Sequence, residues 1–108
     1  MSQLFNQGDI IYLDFEPTKG HEQSGHRPAV VVTNIDFQRT NLLGVVPITN
    51  TVRNHPLHVK LDSRTYIQGE IMCEQFKSVD YVARKAKKVE LLPQDLLDEV
   101  TTIIKSFF

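Results

Sequence analysis

The chain has 108 residues, 41% of them hydrophobic and 23% charged, with a formal net charge of −1. That length fits one domain spanning residues 1–108, and the near-neutral balance argues against bulk polyanion binding. A single cysteine, Cys73, excludes an internal disulfide, and without a second cysteine beside it a thiolate metal site is not expected.

No apolar run is long enough to cross a bilayer, and the opening residues MSQLFNQGD lack the basic start and apolar stretch of a secretory signal. The expected location is the cytoplasm, away from membranes. Charge is nevertheless uneven along the chain. Lys77, Arg84, Lys85, Lys87 and Lys88 face one acid, Asp80, whereas Glu90, Asp95, Asp98 and Glu99 near the C-terminus face one Lys105. A basic strip of that size suits a short single-stranded nucleic acid, although solvated strand edges look the same.

In chain order, DIIYLDFE (Asp9 to Glu16) alternates Ile11, Leu13 and Phe15 against polar residues and predicts a half-buried strand. Gly20 to Thr33, GHEQSGHRPAVVVT, follows as a polar loop running straight into Ala29–Val32, a strand buried on both faces with Pro28 at its start. Loops held by a rigid scaffold commonly carry chemistry, so His21, Glu22, Gln23, His26 and Arg27 are candidates. A hairpin loop with water-facing charges has the same composition. Neither the spacing of His21, Glu22 and His26 nor any other motif makes a recognisable metal set.

Asn34 to Asn41 reads as a polar connection with one helical turn, and Leu42 to Thr49, LLGVVPIT, as a second buried strand in which Gly44 and Pro47 mark a bulge or local edge. Asn50 to Pro56 is a loop with Arg53 and His55. Leu57, Val59 and Leu61 alternate with His58 and Lys60, which predicts a strand with one wet face. Tyr66 to Phe76 is a longer strand candidate broken by Gly69, Lys77 to Ala83 a short helical turn, and Lys87 to Leu91 a last strand. Cys73, beside Ile71 and Met72, is expected to be buried and inert.

Beyond Pro93 the period changes. Leu96, Leu97, Val100, Ile103, Ile104 and Phe107 fall on one helical face opposite Asp95, Asp98, Glu99, Thr102 and Lys105, which predicts an amphipathic helix packed on the core. The whole is mainly β with a C-terminal helix, as a compact antiparallel barrel or strongly bent sheet.

GDIIYLDF, PTKGHEQSGHRPAVVV, VVPIT, EQFKSVD and the terminal helix, in that order, resemble the MazF/PemK family of toxin endoribonucleases from bacterial toxin–antitoxin modules. The resemblance runs from Gly8 to the final helix. It implies a small SH3-like (CcdB/PemK-type) barrel, a homodimer, metal-independent cleavage of single-stranded RNA at short motifs, and a cognate antitoxin whose acidic segment covers the RNA groove. Arg27 falls on the family's loop-to-strand arginine, Thr49 on its P-x-T threonine and Glu22 on its loop glutamate. The family's Asp-Gln pair reads Glu74-Gln75 here.

The chemistry needed is consistent with those residues. A 2′-oxygen attacks the adjacent phosphorus, one group takes its proton, another protonates the departing 5′-oxygen, and positive charge stabilises the transition state. Arg27 suits charge stabilisation because a guanidinium grips two phosphate oxygens at once. Thr49 can donate a hydroxyl to the phosphate, and Glu22 has the shape of a proton acceptor. For RNA grip the candidates are His21, Gln23, His26, Arg53, Gln75, Lys77 and Arg84, with Phe15, Phe37 and Tyr81 as stacking rings, of which Tyr81 is expected to be exposed. The loops of Glu22 and Arg53 are expected to meet. The alternative is a non-catalytic binder on the same barrel, such as a CcdB-like gyrase poison.

Overall fold

The computed structural model describes residues 4–14 and 26–108. Within them, β1 (Asp9–Asp14), β2 (His26–Val31), β3 (Leu43–Thr49), β4 (His58–Lys60), β5 (Glu70–Met72), β6 (Lys77–Val79) and β7 (Lys87–Leu91) precede the helix α1 (Gln94–Lys105). The strands join in the order β4-β5-β3-β2-β1-β7, with β6 also on β3. All the pairings are antiparallel. Among the described residues the path from β4 to β7 is open, so of the two expected forms the strongly bent sheet describes it better than a closed barrel.

Both faces of that sheet are covered, and alternation along each strand divides the apolar residues between them. Ile10, Val30, Val46, Ile48, Val59 and Ile71 pack with Leu96, Leu97 and Val100 of α1. Ile11, Leu13, Ala29, Val31 and Val45 pack on the other side with Phe5, Val79 and Tyr81. β1 is therefore buried on two faces along Ile10–Leu13 rather than half-buried as its pattern suggested, because Ile10 lies under the helix and Ile11 does not.

Helix α1 forms where the period predicted. Pro93 caps it, its carbonyl accepting from Leu96 and Leu97 amides, and Lys105 sits in the last turn where the macrodipole favours a cation. Ile103 and Ile104 are partly buried against the core.

Three local expectations fail. Tyr66–Phe76 is no long strand, since only Glu70–Met72 pairs and Cys73–Gln75 forms a 3-10 turn. Lys77–Val79 is a strand on β3 instead of a helical turn, because Val79 is drawn into the apolar side beside Leu43. Gly44 lies within regular pairing opposite Ser78, while Pro47 stands where β3 changes partner from β6 to β5, the local edge a residue without an N–H requires.

Candidate nucleic-acid interface

The candidate groups collect at one end of the sheet because of strand register. Leu13 pairs with Arg27 and Asp14 with His26, at the end of β1 and the start of β2. The β2–β3 ladder ends at Ala29 opposite Pro47, two residues from Arg27 on β2 and two from Thr49, the last residue of β3, so both lie toward the same end of the sheet. Thr49 pairs in turn with Glu70 at the start of β5, and Glu70 with Lys60 at the end of β4. Directly opposed antiparallel residues share a face, so Thr49, Glu70 and Lys60 form one row across three strands, with Arg27 near the start of β2 at the same end of the sheet.

The same end carries more positive charge. Arg84 donates from Nη1 to the Asp14 carbonyl at 3.2 Å, which holds it at the end of β1, and Lys87 of β7 pairs with Tyr12 of β1. Arg27 is exposed and Thr49 half-buried, its hydroxyl oxygen accepting from the Thr51 amide at 3.2 Å.

Glu70 is the group that organises the far end. Its side chain is 0% exposed, and its Oε2 accepts from the backbone amides of Arg53 at 3.1 Å and Asn54 at 3.0 Å. The loop carrying Arg53 is thereby tied down beside Thr49, with Asn54 in a left-handed conformation, φ 52°. Gly69 makes the approach feasible: with φ 125°, its missing Cβ would lie 2.1 Å from the Thr49 carbonyl oxygen.

Oε1 of Glu70 accepts from Nδ1 of His58 at 2.8 Å, and Oε2 of Glu74 accepts from Nε2 of the same ring at 3.1 Å. The His58 side chain is only 3% exposed. The wet strand face predicted here is thus half closed, because Glu70 and Glu74 cover the ring. Ionised carboxylates can only accept, so the arrangement favours the imidazolium form of the ring, in which both nitrogens donate.

Burial alone would lower the His58 pKa, but hydrogen bonds and charge from Glu70 and Glu74 hold it above the ordinary value. The His58 hydrogen bond holds Glu70 below the carboxylate range. Burial pushes Glu74 up, and the bond to His58 with the two imidazoles nearby brings it below that range. Cys73 is buried and, lifted by desolvation to about 11, is the inert thiol expected.

The remaining candidates divide. Arg53 is exposed on the tethered loop, and Gln75 and Lys77 are exposed at the Cys73–Gln75 turn and β6. Lys77 lies opposite Val45, four residues before Thr49 on β3, roughly 13 Å along the strand. His21, Glu22, Gln23 and Phe15, and with them the expected meeting of the Glu22 and Arg53 loops, fall outside the described residues, as does the His26 side chain. Tyr81 is not an exposed stacking ring: at 8% exposure it meets Phe5 edge-on at 5.6 Å in the apolar core. Phe37 is half-buried on the Ile35–Thr40 turn.

Residues 6–108 match the family described as PemK-like, MazF-like toxin of type II toxin–antitoxin systems. The chain belongs to that family. This MazF-like toxin is 39% identical over 93 residues to the endoribonuclease toxin MazF of Escherichia coli K12, covering 84% of this chain and 83% of that one. It is equally identical, over 101 residues, to the Escherichia coli endoribonuclease PemK, covering 87% of this chain and 74% of PemK. A crystal structure of MazE–MazF from Deinococcus radiodurans superposes on it with a TM-score of 0.89 at 29% identity, covering 98% of this chain and 96% of that one. His58 and Glu70 had no site role in the sequence reading, and Glu74 entered it only as the acid of the family's acidic-Gln pair. The signal available was weak: Glu70 beside Gly69 looked like any strand carboxylate until the Thr49 pairing and the Arg53 loop closed over it.

Proposed function

We propose that this chain is a metal-independent, sequence-selective endoribonuclease toxin that cuts single-stranded mRNA, stops translation and growth, and is neutralised by a cognate antitoxin. The enzyme class rests on the family and on curated relatives named as endoribonucleases at 27–39% identity. The observation that carries the rest is the gathering of Arg27, Thr49, Glu70 and the Arg53 loop at one end of the sheet.

In this reading the phosphate flanking the scissile bond lies over Arg27 and Thr49. Arg27 neutralises the two non-bridging oxygens as charge builds, and the Thr49 hydroxyl donates to one of them. The 2′-hydroxyl gives its proton to Glu22 while its oxygen bonds to phosphorus. The P–O5′ bond then breaks, the departing oxygen is protonated, and the products carry a 2′,3′-cyclic phosphate and a 5′-hydroxyl. An arginine holds its proton at any working pH, so charge stabilisation is its main part.

Arg53, Gln75, Lys77 and Arg84 grip the strand, with His21, Gln23 and His26 as further contacts. The same basic end of the sheet suits an acidic antitoxin segment, which would neutralise the toxin by occupying the RNA path. The toxin acts as a homodimer in the cytoplasm.

The test is incubation of purified protein with a long unstructured RNA in excess EDTA, beside Arg27→Ala, with the fragment ends mapped. Cuts at a recurring short motif with 5′-hydroxyl ends, absent from the variant, are expected. Intact RNA with folded wild-type protein would overturn the reading in favour of a non-catalytic binder, with gyrase as the next target.

A further inference from the structure

We propose that His55, His58 and Glu74 form a binding site for a divalent ion of the zinc class, with Glu70 as the carboxylate that orients His58. Among the described residues, these three each offer a ligand atom within 4.8 Å of the others. The two imidazoles are stacked with centroids 4.7 Å apart, and Nε2 of His58 points at Oε2 of Glu74. Two imidazole nitrogens, one carboxylate oxygen and an open fourth position make a common donor set for zinc.

The second observation lies behind the ligands. Nδ1–H of His58 is held by the buried Glu70 at 2.8 Å, so the ring can meet an ion only through Nε2. A carboxylate behind a ligating histidine fixes the tautomer and makes the ring a better donor. Glu70 is itself fixed by the Arg53 and Asn54 amides and by its pairing with Thr49.

Ion binding here is an exchange with small movements. The ion takes the place of the proton between His58 Nε2 and Glu74, and that proton leaves to solvent. Exposed His55 gives up the Leu57 amide that its Nδ1 now accepts at 3.0 Å. Bonds of about 2.0–2.2 Å place donor atoms roughly 3.5 Å apart, so the cluster tightens by a little over an ångström at its widest. One ion would then clamp the 50–57 segment to β4 and to the Cys73–Gln75 turn, and add positive charge beside Thr49. Such an ion stands outside the cleavage chemistry proposed above and acts on the loop that carries Arg53.

Metal-stripped, untagged full-length protein is titrated with zinc chloride by calorimetry and with cobalt chloride by visible absorption. Wild type is compared with His55→Ala, with Glu74→Gln, and with the double variant His21→Ala/His26→Ala. Circular dichroism reports that each is folded. The expected result is one ion per chain, the absorption of low-coordinate cobalt with nitrogen ligands, at least tenfold weaker binding in His55→Ala and in Glu74→Gln, and unchanged binding in the His21/His26 variant. Absence of binding to wild type, binding that survives both single variants, or binding that follows His21 and His26 would each overturn the site. None of these readings uses RNA cleavage, so failure of the metal site and failure of the enzymatic reading are separately visible.

Discussion

Among the described residues, the clusters around Arg64 and His58 each join one cation to two carboxylates, and they differ in almost everything else. Arg64 donates to Asp62 and Asp95 at 2.8–3.2 Å, but its side chain is 49% exposed. His58 sits between Glu70 and Glu74 with both the ring and Glu70 nearly out of water. Exposed ion pairs are screened by solvent and salt and spend side-chain entropy on holding their geometry. Buried ones are costly to leave half-made, so they fix the backbone around them. The first cluster fastens a turn to α1, whereas the second shapes the loop beside Thr49.

The comparison breaks most severely at Arg27 itself. Arg27→Ala is expected to lower kcat by about 10²–10³-fold, the scale of losing one transition-state charge contact, with an unchanged melting temperature. Arg64→Ala should leave kcat as it is. Rates on a fluorescent RNA beside thermal unfolding separate the two, and equal losses would remove Arg27 from the site.

Leu97→Ala, in the apolar core under α1, is expected to cost about 2–5 kcal/mol of stability in chemical denaturation while sparing kcat of the folded fraction. This is the converse pattern, stability lost without chemistry.

Glu70→Gln sharpens the contrast further. A glutamine keeps one acceptor oxygen but turns an NH2 toward either the Arg53 and Asn54 amides or His58 Nδ1–H, so one arm of the tether fails. The expected result is about a tenfold rise in KM with a smaller change in kcat, the size of one charge-assisted hydrogen bond. A change in kcat alone would mean that Glu70 does not work through the Arg53 loop.

The smallest effect is a pH dependence. His58 is raised above 6.5, so its contribution is complete below that value and is lost as pH rises through the folded pKa. Glu70 and Glu74 are lowered from 4.5, so theirs is complete above 4.5 and is lost as pH falls through their folded values. The cluster of the metal-free protein therefore stabilises most between about pH 4.5 and 6.5. Melting temperature should decline on the alkaline side, and His58→Gln should flatten that decline. A wild-type slope that persists in the variant would assign it to other groups.

The helix and the long strands were legible because their signal is local. Leu96, Leu97 and Val100 repeat at helical spacing, and Ala29–Val32 and Val45–Val46 are apolar runs only a buried strand accommodates. Arg27 and Thr49 were named through the resemblance, and their strands carry both toward the same end of the sheet. The Glu70–His58–Glu74 cluster was not legible. It depends on β4, β5 and the Asn50–Pro56 loop, whose register is set by Gly69 and Thr49 rather than by any period. Tyr81 misled for a related reason: charged neighbours suggested exposure, but the sheet's curvature puts the ring against Phe5.

The claim that one end of the sheet receives the RNA is tested most directly by amide chemical-shift mapping with a short single-stranded RNA made uncleavable by 2′-O-methylation. Shifts concentrated at Arg27, Thr49–Asn54, Glu70 and Gln75–Lys77, with α1 and the Arg64 turn silent, are the predicted result. Shifts centred on α1 or around Arg64, with Arg27 and Thr49 unmoved, would contradict it.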